Sequence, residues 1–147
     1  MVGTRTGSAS VWPLVRTAAA QSNGQGQPQN CTNRTVSGRY GYSFQGTIFA
    51  PPPVTPVAAV GVANFDGQGS FTVTDVASFA GTNVPRTASG AYTVNPNCTA
   101  TLSLTILTGI PVGATSHING VILDGGSEVM FIQTDPGTLL TGTAKRQ

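Results

Sequence analysis

Thr99-Ala100-Thr101-Leu102-Ser103-Leu104-Thr105-Ile106-Leu107 is the stretch on which the fold turns. Ala100, Leu102, Leu104 and Ile106 alternate without a break against Thr99, Thr101, Ser103 and Thr105. A period of two places successive side chains on opposite faces of a β-strand, one face dry and the other wet. β-Branched threonine suits the wet face. Gly109, Pro111 and Gly113 then end the run with a loop.

The same pattern spreads in both directions. Upstream, Val36, Tyr40, Tyr42, Phe44 and Ile48 share one face of a long first strand. Pro51-Pro52-Pro53 stops it, because proline donates nothing to a ladder. A second strand is expected over Val57 to Phe65, turned by Asp66-Gly67-Gln68-Gly69. A third spans Ser70 to Phe79, and a fourth runs from Arg86 to Val94 and closes at Asn95-Pro96-Asn97. Downstream, a sixth strand covers Ser116 to Leu123, a seventh Glu128 to Thr134 and an eighth Leu139 to Lys145. Asp124-Gly125-Gly126 and Asp135-Pro136-Gly137 separate them.

About eight strands with hairpin-length connections imply an all-β antiparallel up-and-down barrel. An open meander would leave two raw edges, which closure removes. A β-sandwich is the alternative, but its Greek-key connections need longer crossovers than this chain supplies. Residues 30–147 are expected to form the barrel domain, and residues 1–29 an extended N-terminal tail.

The chain has 147 residues and a net charge of +2, and only 8% of it is charged. So few and so dispersed basic residues exclude an electrostatic nucleic-acid surface. No apolar run approaches the ~20 residues of a membrane-spanning helix. Two cysteines and one histidine cannot assemble a zinc site, so neither metal nor cofactor is expected. Cys31 and Cys98 stand in matching contexts, Asn30-Cys31-Thr32 and Asn97-Cys98-Thr99, each just ahead of a strand. In an up-and-down barrel the first and fifth strands start at the same end. A Cys31–Cys98 disulfide across that base is the simplest reading and implies an oxidising compartment.

In the tail, Val11, Trp12, Leu14 and Val15 form an apolar peg around Pro13, followed by the polar linker Gln21–Asn30. The peg is too short for the apolar core of a signal peptide, and Pro13 and Arg16 interrupt it. The tail is therefore expected to belong to the mature chain. Tryptophan is strongly enriched at binding hot spots, and proline favours an extended segment that docks on a neighbour.

Three acids, Asp66, Asp124 and Asp135, sit in turns where their side chains bond the backbone. Asp75 differs, because it shares a face with Phe71, Val73, Ala77 and Phe79. A hairpin near Ala80–Thr82 would bring Arg86 beside it. With His117 placed on the face of Val121 and Leu123, beside Asn119, the four form a candidate interior polar cluster: Asp75, Arg86, His117 and Asn119. The bland counterpart is a buried ion pair with a hydrogen-bonded histidine. No Gly-x-Ser-x-Gly elbow or other catalytic motif occurs, so a role other than catalysis is expected. Asn30, Asn33 and Asn97 lie in Asn-x-Thr triplets and are candidate glycan acceptors.

Two segments, Gly38-Arg39-Tyr40-Gly41-Tyr42 and Gly90-Ala91-Tyr92-Thr93-Val94-Asn95-Pro96-Asn97-Cys98-Thr99, carry a resemblance. Asp124-Gly125-Gly126-Ser127-Glu128, Ile132-Gln133-Thr134-Asp135-Pro136-Gly137 and Gly142-Thr143-Ala144-Lys145-Arg146-Gln147 complete it. Over residues 30–147 the chain resembles a group of small secreted bacterial β-barrel proteins. In architecture it is similar to allene oxide cyclase-like and lipocalin-like barrels. The resemblance implies a fold but no activity, since no cyclase motif matches residue by residue.

Two functions are expected from these features. The first is an extracellular structural subunit that self-assembles, into a filament where the contact does not close, through its tail. Its partners would be copies of itself and attached glycans. The second is a small-molecule-binding or cyclase-type barrel. An interior cavity of ~300 Å³ or more with polar groups inside would favour it; a side-chain-filled interior would end it.

Overall fold

The computed structural model describes residues 30–147. The peg residues Val11, Trp12, Leu14 and Val15 lie outside the described residues. Eight strands follow one another: β1 Ser37–Ile48, β2 Thr55–Asp66, β3 Ser70–Phe79, β4 Thr82–Val94, β5 Thr99–Thr108, β6 Thr115–Leu123, β7 Glu128–Gln133 and β8 Thr138–Arg146. Each pairs antiparallel with its sequence neighbour, and β8 returns to β1 to close the barrel. The up-and-down barrel is the fold, and the sandwich is not.

Strand bounds follow the turn signals to within a few residues. The largest difference is β4, which begins at Thr82 rather than Arg86. Pro85 lies inside it, opposite Val76 of β3, beyond the reach of β5, whose pairing starts at Thr87. There β4 needs ladder donors on one side only, so proline is tolerated. No helix among the described residues is long and apolar enough to cross a membrane.

The two ends of the barrel differ. At the end where β1 begins, aromatic rings fill the interior. Tyr40 is fully buried, and Phe65 stands edge-on to both Tyr40 and Tyr92 at 5.3 and 5.1 Å between centroids. Phe65 stacks on Phe71 at 5.0 Å, directly opposite it across β2 and β3. A 3-10 turn, Asn33–Thr35, lies beneath this floor. The Tyr92 hydroxyl donates to the Val36 carbonyl at 2.7 Å, and the Asn33 side chain accepts from the Val94 N–H at 2.8 Å. The Tyr40 hydroxyl donates to the Gly126 carbonyl. Gly126 has φ +98°, and a Cβ there would run into the Thr35 carbonyl, so only glycine lets this turn close the base.

Cys31 and Cys98 are bonded at that same end, tying the incoming chain to the β4–β5 turn, with the Cys31 N–H on the Pro96 carbonyl at 3.2 Å.

All three tyrosines of the chain are held protonated. Burial raises Tyr40 despite nearby Arg146, burial and then the Asp75 carboxylate raise Tyr42, and burial raises Tyr92. A folded-state value above the unfolded one contributes stability below about pH 10 that is lost as pH rises through the folded values. Tyrosinate absorbance should therefore stay flat past about pH 10 and appear together with unfolding. An ordinary titration in the folded protein would contradict this.

Candidate functional site

The inward face of the barrel carries one polar row. Register sets Tyr42 of β1 opposite Gly61 of β2, Gly61 opposite Asp75 of β3, and Asp75 opposite Arg86 of β4. Gly61 has no side chain, so the Tyr42 ring crosses the gap and its hydroxyl donates to Asp75 Oδ2 at 2.5 Å. Arg86 donates to the same carboxylate twice, Nε to Oδ1 at 2.9 Å and Nη2 to Oδ2 at 2.7 Å. The Asp75 side chain is 1% exposed and that of Arg86 11%. The Arg86 guanidinium lies 5.7 Å from the Phe79 ring centroid. Its Nη1 makes no hydrogen bond among the described residues.

Gly61→Ala tests this row. A Cβ at that position would stand inside van der Waals contact of Asp75 Cβ and of the Thr74 carbonyl. Overpacking of this kind costs about 1–3 kcal/mol. Urea denaturation should show that loss, and an unchanged midpoint would contradict the tight passage.

Asp75 and Arg86 are thus brought together as the sequence reading expected. His117 and Asn119 are not with them. Both lie exposed on the outer face, while Ser116, Ile118, Gly120 and Ile122 point inward. The sequence offered two apolar sets on β6, Ile118/Ile122 and Val121/Leu123, and alternation alone did not choose. Pairing with β5 chose: Ile118 faces Leu102 and Gly120 faces Ala100, both inward residues of β5.

His117 instead meets Asp135. Its ring Nδ1 lies 2.7 Å from Asp135 Oδ1, and its backbone N–H donates to Oδ2 at 2.8 Å. Gln133 adds a third contact at 2.9 Å. Partial burial would raise the Asp135 carboxyl, but these hydrogen bonds outweigh it and hold the group below the usual range. Asp135 latches β6 to the β7–β8 turn.

Tyr42 is the site residue the sequence reading undervalued, placed there only on the apolar face of the first strand. The signal was Gly61, an isolated glycine in a strand between two long side chains.

Above the aromatic floor the barrel is hollow. A cavity of about 540 Å³ runs through its middle. Tyr42, Phe44, Leu102, Leu104, Ile118 and Phe131 point into it, and all are only partly buried although they face inward. Asp75 and Arg86 form its polar row, Ser116, Gln133 and Asp135 add polar groups nearer its far end, and Ala50, Pro51 and Pro111 of the loops line that end. Tyr40 and Tyr92 belong to the floor and not to the lining. No group of three potential metal ligands occurs among the described residues.

The remaining candidates lie outside this site. Asn30 and Asn97 are exposed beside the disulfide. Asn33 is partly buried, and its side-chain oxygen is engaged by Val94.

No family model and no curated protein matches the chain. Among solved structures it is similar to a redesigned β-barrel, b11L5F_LGL, at 14% identity over 82% of this chain and 99% of that one, with a TM-score of 0.55. It is also similar to EF1p2_mFAP2b bound to DFHBI, at 12% identity over 78% of this chain and 95% of that one, with a TM-score of 0.51. At these identities the likeness is one of fold.

Proposed function

We propose that the barrel binds an uncharged, largely apolar small molecule bearing a carbonyl-type acceptor. The observation that carries this reading is the cavity of about 540 Å³ with a polar row on one wall. Its volume falls in the range of ~300–1,000 Å³ typical of small-molecule sites. Its lining is mostly aliphatic and aromatic, which favours an apolar ligand body.

The polar row sets the ligand's polar end. Asp75 already neutralises Arg86 and accepts from Tyr42. A second anion would enter with no counter-charge and pay full desolvation, so a neutral acceptor is preferred. The Arg86 Nη1 N–H groups supply the donors. A barrel of this fold, EF1p2_mFAP2b, has a structure bound to DFHBI, which agrees with a ligand-holding role.

Titration with prodan (a neutral naphthyl ketone dye) and with anilinonaphthalene sulfonate tests the reading. Prodan should bind one per chain with blue-shifted emission, roughly tenfold tighter than the sulfonate. Equal binding of both, or preference for the anion, would overturn the assignment of the polar row.

Self-assembly through the tail is a second reading, favoured by an apolar row on the outer wall. Val121 and Met130 stand directly opposite each other there, with Ile132 beside them, and all three are exposed. Val11, Trp12, Leu14 and Val15 of another copy would cover such a stripe. Deleting residues 1–20 should abolish assemblies and leave the barrel folded; assemblies unchanged by the deletion would exclude the reading. An extracellular location fits both readings, since the disulfide forms in an oxidising compartment.

A further inference from the structure

The cavity has a second polar group with bonding capacity to spare, on the wall facing the Arg86 row. Asp75 holds the Arg86 guanidinium on the β3–β4 side. In a closed barrel of eight strands taken in order, β7 stands four strands from β3, across the interior from it. Gln133 ends β7 and lines the cavity, on the same inward face as Val129 and Phe131.

Chemistry fixes the Gln133 amide in one orientation. Its Nε2 donates to Asp135 Oδ2 at 2.9 Å and, at longer range, to Ser116 Oγ at 3.5 Å. A carboxylate only accepts, so the NH2 and not the carbonyl must face Asp135. The other half of the amide, Oε1, accepts no hydrogen bond among the described residues. The side chain is partly buried, where a ligand's donor gains more from an acceptor than it would in open water. Asp135 itself is engaged by His117 and Gln133. This wall therefore offers a neutral acceptor, which matches a neutral donor and not an ammonium group that would lose its hydration.

We infer that the ligand is bifunctional, a neutral hydroxy ketone with an apolar body between its two polar ends. The carbonyl meets Arg86 Nη1 and the hydroxyl meets Gln133 Oε1. This deepens the ligand proposal and rests on it. The two walls also impose a direction. A guanidinium only donates, so the Arg86 side takes the carbonyl. Gln133 has its donors committed to Asp135 and Ser116, so its side takes the hydroxyl. A ligand with the carbonyl alone satisfies one wall only.

Calorimetric titration of the full chain with 6-propionyl-2-naphthol and with its methyl ether tests the inference. At about pH 6 the naphthol is neutral, well below the ionisation of a phenol-type hydroxyl. The two compounds share ring system and ketone and differ at the far oxygen, which donates only in the naphthol. The native chain should bind the naphthol about three- to tenfold tighter than the ether. Gln133→Met, close in size and at best a weak acceptor, should bring the two affinities together and leave that of the ether unchanged. Equal affinities in the native chain overturn the inference and leave the cavity as a site for a neutral ketone; that comparison needs no variant. A naphthol preference that survives in folded Gln133→Met overturns the assignment of the hydroxyl to Gln133. Binding of neither compound, with prodan failing as well, removes the ligand proposal itself and this inference with it.

Discussion

Asp75→Ala should lower the free energy of unfolding by about 3–5 kcal/mol. The substitution removes more than one bond. Arg86, 11% exposed, would keep a buried charge with no partner, and Tyr42 would lose the acceptor for its hydroxyl. Stranding a buried charge is costly because neither water nor a counter-ion replaces what was removed. The double variant Asp75→Leu/Arg86→Met separates this penalty from the worth of the pair. Replacing both ions with apolar groups removes the stranded charge, so the double variant should be more stable than Asp75→Ala alone. Urea denaturation of the three proteins gives the comparison. A loss under about 1 kcal/mol for Asp75→Ala would mean that water reaches Arg86 freely, contrary to the burial of the row.

Cys31→Ala/Cys98→Ala should cost about 4 kcal/mol while the barrel stays folded. The bridge joins residues 67 apart, so it removes considerable freedom from the unfolded chain. It does not hold the floor in place by itself. Tyr40 is anchored to Gly126, Tyr92 to Val36 and Arg146 to the Thr35 carbonyl at 2.8 Å, all without the cysteines. The expected result is a urea midpoint that falls with unchanged circular dichroism. Loss of the β-sheet signal under native conditions would show that the base depends on the covalent link.

The fold was legible because local and global signals agree. The alternation at Thr99–Leu107, the prolines after Ile48 and the Asp-Gly turns each place a strand end where one is found. Asp75 was legible as inward because it interrupts an apolar face, and its partner followed from counting back across the β3–β4 hairpin. His117 was misplaced because β6 has two nearly equal apolar faces, and only cross-strand pairing distinguishes them. The hollow middle was beyond sequence reading for a related reason. Inward alternation gives a facing direction, but whether opposing side chains meet depends on barrel radius. At the floor Phe65, Phe71, Tyr40 and Tyr92 meet across it; above the floor Leu102, Leu104 and Ile118 do not fill it.

Prodan titration of the full chain beside Leu104→Trp probes the hollow interior itself. Leu104 lines the cavity, and an indole there would occupy the space of the ligand. A hollow interior gives saturable one-to-one binding with blue-shifted emission in the native chain, and none in a folded Leu104→Trp variant. Absence of binding to the native chain, or undiminished binding to Leu104→Trp, would contradict it.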